Sequence, residues 1–296
     1  MDEVTVVLDL SFLEDPMVRI ITDSAADFQP AELEQLNITC IPLTVLFGQT
    51  DYRENLDLSK DEFYRLLKGT EGFPKTSQAS PQVLADLFED AKRNGEEAVY
   101  ITLSSALSGT YQSALFIREG ADYDGAYVVD SKNATGGQRM LVEYAVRLRD
   151  AGKSAAEIVA AVEALRDHIV LYACINTLEY LHRGGRISHT AYTLGTLAQI
   201  KPIIHVDHNG RVDIPAKAMG MRKGMEHLCK QIDAKRPHSD FPVYVMYTDD
   251  RSVAETLAMR LAEHGHTVHP DNIIQVGAAI GAHVGPAACG LVYVGA

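Results

Sequence analysis

Short apolar, β-branched runs alternate with amphipathic helical segments along the first half of the sequence, and this alternation constrains the fold most. Strands are predicted at 18–23 (VRIITD), 38–47 (ITCIPLTVLF), 99–104 (VYITLS) and 126–131 (AYVVDS). Helical segments lie between most of these runs, so the strands are expected to run parallel with helices packed against the sheet. The predicted fold class is therefore α/β, with a mainly parallel sheet.

Capping residues mark several of the helix starts. Ser59 and Glu62 have the spacing of a capping box, in which each side chain bonds the other residue's backbone N–H. Ser80 precedes Pro81, a pair typical of a cap followed by the first helical position. Ser154 marks the start of a further helix. These signals support the helical half of the alternation.

A second α/β unit is predicted from Val170, beginning with the strand VLYACIN. Its later segments include a helix containing Leu194, Leu197 and Ala198, and a hairpin whose turn is Asn209-Gly210. We expect an N-terminal α/β domain at 18–168 and a C-terminal α/β domain at 169–296. Residues 1–17 form an N-terminal extension without an assigned role.

Composition excludes several classes of function. The formal net charge is -13, from 40 acidic and 27 basic residues, which argues against nucleic acid because binding its backbone needs a basic surface. No apolar run reaches the roughly 20 residues of a membrane span, so stable membrane insertion is not expected. The four cysteines include no Cys-x-x-Cys pair and are interpreted as buried free thiols of a cytoplasmic protein.

The common catalytic motifs are absent from the sequence. It contains no G-x-x-x-x-G-K-[ST] phosphate loop and no strand followed by G-x-G-x-x-G, which argues against an ordinary nucleotide-dependent enzyme. A G-x-S-x-G nucleophile elbow and an H-E-x-x-H zinc motif are also missing. No cofactor, metal or catalytic residue is therefore predicted.

Hydroxyl-rich segments follow the predicted strands and suggest an anion site. They are Thr22 to Ser24, Ser104 to Thr110 and Asp130-Ser131, together with the loop that carries Thr76 and Ser77. Ligands of parallel α/β sheets bind at the carboxyl ends of the strands, and free N–H groups at a helix start favour a negative group. The alternative interpretation is that each segment merely caps a helix.

Two further segments bring basic side chains next to glycines. HRGGRISH places Arg183 and Arg186 beside a Gly-Gly pair, and IGAHVGPAACG carries His283 in a predicted loop before the last strand. These residues fit either an anion site or a structural role. In the structural role, Arg186 forms a surface or domain-interface salt bridge, and His283 is a half-buried imidazole with its hydrogen bonds made within the protein.

Seven motifs occur in the order and spacing of the DegV family, which the chain resembles from about Val18 to its end. They are TDSAAD, KTSQASP, SSALSGTYQSA, VVDS, GGRIS, IKPII and IGAHVGP. The resemblance implies a bacterial cytoplasmic protein with two α/β domains and a tunnel, between or within them, for one long-chain fatty acid such as palmitate. It also implies a lipid-binding protein rather than an enzyme. Some members present the carboxylate to a separate ATP-dependent fatty acid kinase subunit, which makes an acyl phosphate.

The resemblance also assigns roles to individual residues. Thr76 and Ser105 are expected to hold the fatty acid carboxylate, with Arg186 and His283 near the head group or the phosphate of the product. Ser77 and Ser104 are expected to support that site. The residues proposed to line the tunnel, which could equally be core residues, are Ile175, Leu178, Leu181, Leu194, Leu197 and Ile200.

The chain departs from the family pattern after the hairpin. KAMGMRKG places Met219 and Gly220 where kinase-linked members often have arginine and threonine, and that arginine is implied to engage the kinase. The departure weakens the expected kinase partnership more than the expected lipid binding. Two alternatives stay open: a lipid-sensing regulatory protein without a kinase partner, and an acyl hydrolase or transferase with Ser105 as nucleophile and His283 as base.

Overall fold

The computed structural model describes residues 17–70, 72–193 and 199–296. The predicted extension, except for Met17, lies outside these residues, as do Leu194, Leu197 and Ala198 of the predicted helix. No helix among the described residues is long and apolar enough to span a membrane.

Strands and helices alternate through much of the chain. The strands are β1 (Val18–Asp23), β2 (Ile38–Ile41), β3 (Thr44–Phe47), β4 (Thr50–Arg53), β5 (Lys75–Ser77), β6 (Glu97–Thr102), β7 (Ala126–Asp130), β8 (Ile169–Cys174), β9 (Ile200–Val206), β10 (Val212–Met219), β11 (Tyr244–Tyr247), β12 (Ile273–Gln275) and β13 (Cys289–Val294). The helices are α1 (Pro30–Gln35), α2 (Lys60–Gly69), α3 (Pro81–Asn94), α4 (Thr110–Gly120), α5 (Thr135–Asp150), α6 (Ala155–Arg166), α7 (Glu179–Arg183), α8 (His189–Thr193), α9 (Gly220–Ala234), α10 (Arg251–Glu263) and α11 (Ala278–Val284).

The first sheet is parallel throughout, in the strand order β2-β1-β6-β7. Helices α5 and α6 pack against one of its faces through an apolar core that includes Ile20, Val99, Leu141 and Val162. The parallel α/β architecture predicted for this part of the chain is confirmed, because every neighbouring pair in this sheet is parallel, with α1 between β1 and β2 and α4 between β6 and β7.

The predicted strand at 38–47 is in fact two strands in two different sheets. Strand β2 pairs with β1, whereas β3 joins β4 and β5 in a small antiparallel sheet. Pro42 lies between them. Proline has no N–H to donate to a sheet, so the run is interrupted there and the chain crosses from one sheet to the other.

The second sheet has the order β10-β9-β8-β13-β11-β12 and is mostly antiparallel. Its one parallel pair among the described residues is β11 with β12. The mainly parallel sheet is predicted from the alternation in the first half alone, and the α/β unit predicted for this half contains a mostly antiparallel sheet. The hairpin at Asn209-Gly210 reverses the chain as predicted, and β13 enters antiparallel between β8 and β11.

Helix α11 belongs to the second half in sequence but packs against the first half. Ala279 belongs to the apolar cluster around Phe88 and Tyr100. Gly281 allows α11 to approach α2, because a Cβ at this position would lie 2.5 Å from the Tyr64 hydroxyl and 2.7 Å from the Phe63 ring. The two halves therefore share a packed interface. The domain boundary near residue 168 stays a prediction.

Candidate functional site

A cavity of about 300 Å³ lies between the two halves of the molecule and is lined by both. Most of its surface is apolar. The part of this surface that we call the apolar wall is formed by Leu103, Leu171, Ile204, Met246, Val276 and Ile280. Concave sites of this kind, apolar apart from a few polar groups, are typical of small-molecule binding.

Four side chains from distant parts of the sequence form a polar cluster in the lining. Thr76 comes from β5, Ser108 from the turn before α4, Arg186 from the loop after α7, and His283 from α11. Thr76 Oγ1 lies 2.9 Å from His283 Nε2. Ser77, also predicted as a site residue, lines the cavity next to Thr76. No aspartate or glutamate is among the described residues of the lining.

His283 lies on α11 rather than in the predicted loop. Burial and the neighbouring Arg186 charge lower the pKa of its imidazole to about 4, so the ring is neutral at neutral pH. Its Nδ1 atom is buried and has no hydrogen-bond partner among the described residues. The ring can approach this closely because residue 184 is glycine: a Cβ there would lie 2.0 Å from Nδ1.

Arg186 is half-buried and is held by two backbone carbonyls. Its Nε donates to the Leu107 oxygen at 2.9 Å, and its Nη1 donates to the Gly184 oxygen at 2.5 Å. None of the salt bridges within the described ranges involves Arg186. Burial lowers the pKa of its guanidinium, although an arginine keeps its charge at any ordinary pH. A cation with no acidic partner therefore lies beside the apolar wall.

Two of the three serines of the predicted site, Ser104 and Ser105, lie outside the cavity lining. The Ser105 hydroxyl donates to Asp130 at 2.5 Å, and the Ser105 N–H donates to the same carboxylate at 3.0 Å. Ser104 is fully buried and donates to the Gly210 carbonyl in the hairpin turn at 2.9 Å. Neither is among the residues that line the cavity. The hydroxyl of Ser105 thus has its hydrogen-bond partner in Asp130, and the hydroxyl of Ser104 has its partner in the hairpin turn.

The turn that follows β6 explains this difference from the prediction. The Ser108 N–H donates to the Ser104 carbonyl at 3.1 Å, so the backbone forms a tight turn. Ser108, at the end of this turn, lines the cavity. The Ser108 Oγ accepts the Thr110 N–H at 3.2 Å at the start of α4. The sequence signal for Ser108 is its position in the hydroxyl-rich segment directly before Gly109 and the helix.

The hydroxyl-rich segment at Thr22–Ser24 also lies outside the cavity lining. Asp23 accepts the N–H groups of Leu103 and Ala25 at 2.8 and 3.1 Å. The Ser24 hydroxyl donates to Glu54 at 2.7 Å. This segment therefore organises the turns around the cavity rather than facing a ligand there.

The predicted tunnel residues separate into several groups. Leu181 lines the cavity. Ile175 and Leu178 are buried with it in a neighbouring apolar cluster, and Ile200 is partly buried in β9. Leu194 and Leu197 lie outside the described residues. Periodicity alone could not separate wall residues from core residues, because both are apolar.

Comparison with known proteins gives a consistent result. The DegV family model, described as an uncharacterised protein family, matches residues 17–296. A DegV domain-containing protein of Clostridium perfringens is 34% identical over 284 residues, covering 93% of this chain and 97% of the relative.

Two solved structures are similar over almost their whole length. A DegV family protein from Thermus thermophilus, described for its fatty acid binding, is 29% identical with a TM-score of 0.85, covering 95% of this chain and 100% of its own. A stearic acid-binding protein from Eubacterium ventriosum is 26% identical with a TM-score of 0.84, covering 94% and 98%. The family match and the shared two-part α/β fold agree: this chain belongs to the DegV family.

Proposed function

We propose that this protein binds one long-chain fatty acid in the cavity between its halves. The carboxylate lies at the polar cluster, and the alkyl chain follows the apolar wall. The observation that carries the proposal is Arg186, a half-buried cation without an acidic partner among the described residues, next to an apolar cavity. The fatty acids bound by the Thermus and Eubacterium relatives support the same ligand class.

The polar cluster can satisfy a carboxylate taken out of water. Desolvating such a group without hydrogen bonds is costly, and Arg186, Thr76 and Ser108 supply donors around it. His283 orients the Thr76 hydroxyl, since the two lie 2.9 Å apart. We assign the carboxylate to Thr76 and Ser108 rather than to Thr76 and Ser105, because the Ser105 hydroxyl already bonds Asp130.

Burial of the alkyl chain would supply most of the affinity. About fifteen methylene groups, at roughly 0.8 kcal/mol each, contribute about 12 kcal/mol before association and ordering costs are subtracted. The polar cluster then fixes the orientation of the ligand and discriminates a carboxylate from an uncharged head group.

Mass spectrometry under denaturing conditions tests the proposal on protein purified without added lipid. We expect one long-chain fatty acid per molecule, and tight rebinding of palmitate after delipidation. Hexadecanol, with the same chain length and no charge, is the matched control ligand and should bind at least about tenfold more weakly. Absence of both a copurified fatty acid and palmitate binding would refute the proposed function.

We further propose that the bound carboxylate is presented to a separate fatty acid kinase. Exposure of Met219, 56% accessible at the end of β10, leaves this surface free for a partner, although the arginine implied for kinase-linked members is missing. A kinase subunit from the same organism, mixed with the palmitate complex and ATP, should yield palmitoyl phosphate. If no product forms, the lipid-sensing regulator becomes the better account.

We also propose that the protein binds fatty acids without chemically transforming them. The pair needed by the hydrolase alternative is not assembled: His283 contacts Thr76, and Ser105 contacts Asp130. A chromogenic long-chain acyl ester should show no turnover above that of a Ser105→Ala variant.

A further inference from the structure

The motif TDSAAD ends in a buried carboxylate that does not reach the cavity. Asp27, only 1% exposed, accepts the Gly277 N–H at 2.8 Å and the hydroxyl of Thr135. Glu54, also 1% exposed, accepts the Ala279 N–H at 3.3 Å and the Ser24 hydroxyl at 2.7 Å. The two acids thus hold the backbone at the start of α11.

Both acids accept hydrogen bonds from residues that line the cavity. Thr135 and Ala279 line the cavity, and α11 carries His283 at its other end. Gly277 is needed for this contact, because a Cβ there would lie 2.1 Å from the Glu54 carboxylate and 2.8 Å from that of Asp27. The position of α11 is therefore set by hydrogen bonds to two buried carboxylates as well as by packing.

Several charged and titratable groups face Glu54. Asp27 and Lys60 affect it most, and the Cys40 thiol and Tyr64 hydroxyl are also close enough to interact electrostatically. Lys60 is buried and donates to the backbone carbonyls of Asp27 and Gln275 at 2.7 and 2.9 Å. The cluster thus contains one buried lysine against two carboxylates, and a third, Asp23, is a close neighbour of Asp27.

We propose that Glu54 is a positioning residue for the fatty acid site, acting with Asp27 through α11 to hold His283 against Thr76. The ionised Glu54 accepts both hydrogen bonds, and charge-assisted bonds of this kind are the stronger ones. When it is protonated, one oxygen becomes a donor and the hold on Ser24 and Ala279 weakens. At a rise of about 1.5 Å per residue, His283 lies about 8 Å along the helix from Ala278, so Glu54 acts through helix position.

This inference rests on the proposed function and adds a pH dependence to it. Burial raises the pKa of Glu54 to about 7 and that of Asp23 to about 6. We therefore expect the affinity for a fatty acid to rise as Glu54 ionises. Since Asp23 titrates in the same range, the quantity to compare is the affinity of the wild type relative to Glu54→Gln at each pH.

The experiment measures palmitate affinity of delipidated protein between about pH 5.5 and 8.5, a range that brackets the Glu54 titration. Glutamine resembles the protonated acid, so Glu54→Gln should bind as the wild type does at the acidic end and lose the gain in affinity at the basic end. Glu54→Ala removes both hydrogen bonds and should bind about tenfold more weakly than the wild type at the basic end. Val162→Ala, a cavity-creating change on the buried face of α6, controls for lost stability and should keep the wild-type affinity.

The outcomes separate the two proposals. If the wild type binds no fatty acid, the proposed function fails. If the wild type binds palmitate and Glu54→Gln has the same affinity as the wild type at every pH, the positioning role of Glu54 is refuted. Should Glu54→Ala not fold, the Glu54→Gln profile alone decides the question.

Discussion

Thr76 and His283 are 207 residues apart in the sequence, yet Thr76 Oγ1 and His283 Nε2 lie 2.9 Å apart in the cavity lining. The tautomer of the neutral imidazole decides which atom donates. If Nε2 carries the proton, it donates to the Thr76 oxygen and leaves the Thr76 hydroxyl proton for a ligand carboxylate. The proposed fatty acid site thus depends on the position of the short helix α11 relative to strand β5 of the other half.

Gly184→Ala tests this relationship without adding backbone strain. Gly184 has an ordinary helical φ of -74°, but an added Cβ would lie 2.0 Å from His283 Nδ1, so the imidazole must move away from Thr76. We expect the palmitate affinity to fall about tenfold, the order of one lost net hydrogen bond. Fluorescent fatty acid displacement would measure the change.

Gly69→Ala is the matched control for this substitution. Its Cβ would meet nothing within 4 Å, and it lies at the end of α2, away from the cavity lining. Palmitate affinity should be unchanged. Equal affinities for the two variants would show that the position of His283 does not affect binding.

Arg186→Gln should weaken carboxylate binding selectively. Hydrogen bonds to charged groups contribute about 1.5 to 3 kcal/mol, so palmitate affinity is expected to fall by roughly 10- to 150-fold, while hexadecanol affinity should change little. Isothermal titration calorimetry with both ligands gives the comparison. Arg183→Gln is the control, because Arg183 pairs with Glu179 and lies over the Phe73 ring. A parallel loss for both ligands would contradict a carboxylate contact.

Ser108→Ala and Ser105→Ala should separate binding from stability. Ser108 lines the cavity, so its alanine variant is expected to lower palmitate affinity several-fold with a modest effect on unfolding. Ser105 donates to Asp130, so its variant should lose about 1 to 2 kcal/mol of unfolding free energy and keep its affinity. Urea denaturation and palmitate titration of both proteins would check this. The reverse pattern would restore Ser105 to the carboxylate site.

Glu54→Gln should stabilise the ligand-free protein at high pH. Burial raises the pKa of Glu54 from 4.5 to about 7, so the folded state binds its proton more tightly than the unfolded state. The resulting stabilisation is present below pH 4.5 and is lost as the pH rises through 7. Glutamine does not titrate, so the variant does not lose this stabilisation. Its free energy of unfolding should therefore exceed that of the wild type by an amount that grows across this pH window to about 3 kcal/mol at most.

Thermal and urea unfolding at several pH values would measure that advantage. The variant would then be more stable than the wild type at basic pH while binding palmitate less tightly. A constant difference in unfolding free energy across the window would show that Glu54 does not titrate there.

Local signals in the sequence predicted local structure well. The capping box at Ser59 forms as expected, with Glu62 bonding back to the cap. Ser154 begins α6 as expected, and its capping box with Glu157 was not predicted. Strand direction in the second half was not predictable from alternation, because the return of β13 into the middle of the sheet is a long-range event. For the same reason, nothing local indicated that α11 would pack against the first half.

The residues of the candidate site were predicted in part. Thr76, Ser77, Arg186 and His283 all line the cavity, as a converging anion site requires. The sequence could not show whether Ser105 or Ser108 lines the cavity, because the conformation of the tight turn between them decides which hydroxyl faces inward. The buried acids Asp27 and Glu54 have no sequence signal for burial, since such residues are usually exposed.

The packing of α11 also has a consequence for biosynthesis. Ala278, Ala279 and Ala282 complete apolar clusters whose other members include Phe63 and Phe88. During translation those clusters stay incomplete until the segment after β12 has left the ribosome, so the first half emerges with unburied apolar surface. Because exposed surface of this kind promotes aggregation of partly made chains, a nascent chain stalled before residue 278 should need chaperone protection that the finished chain does not.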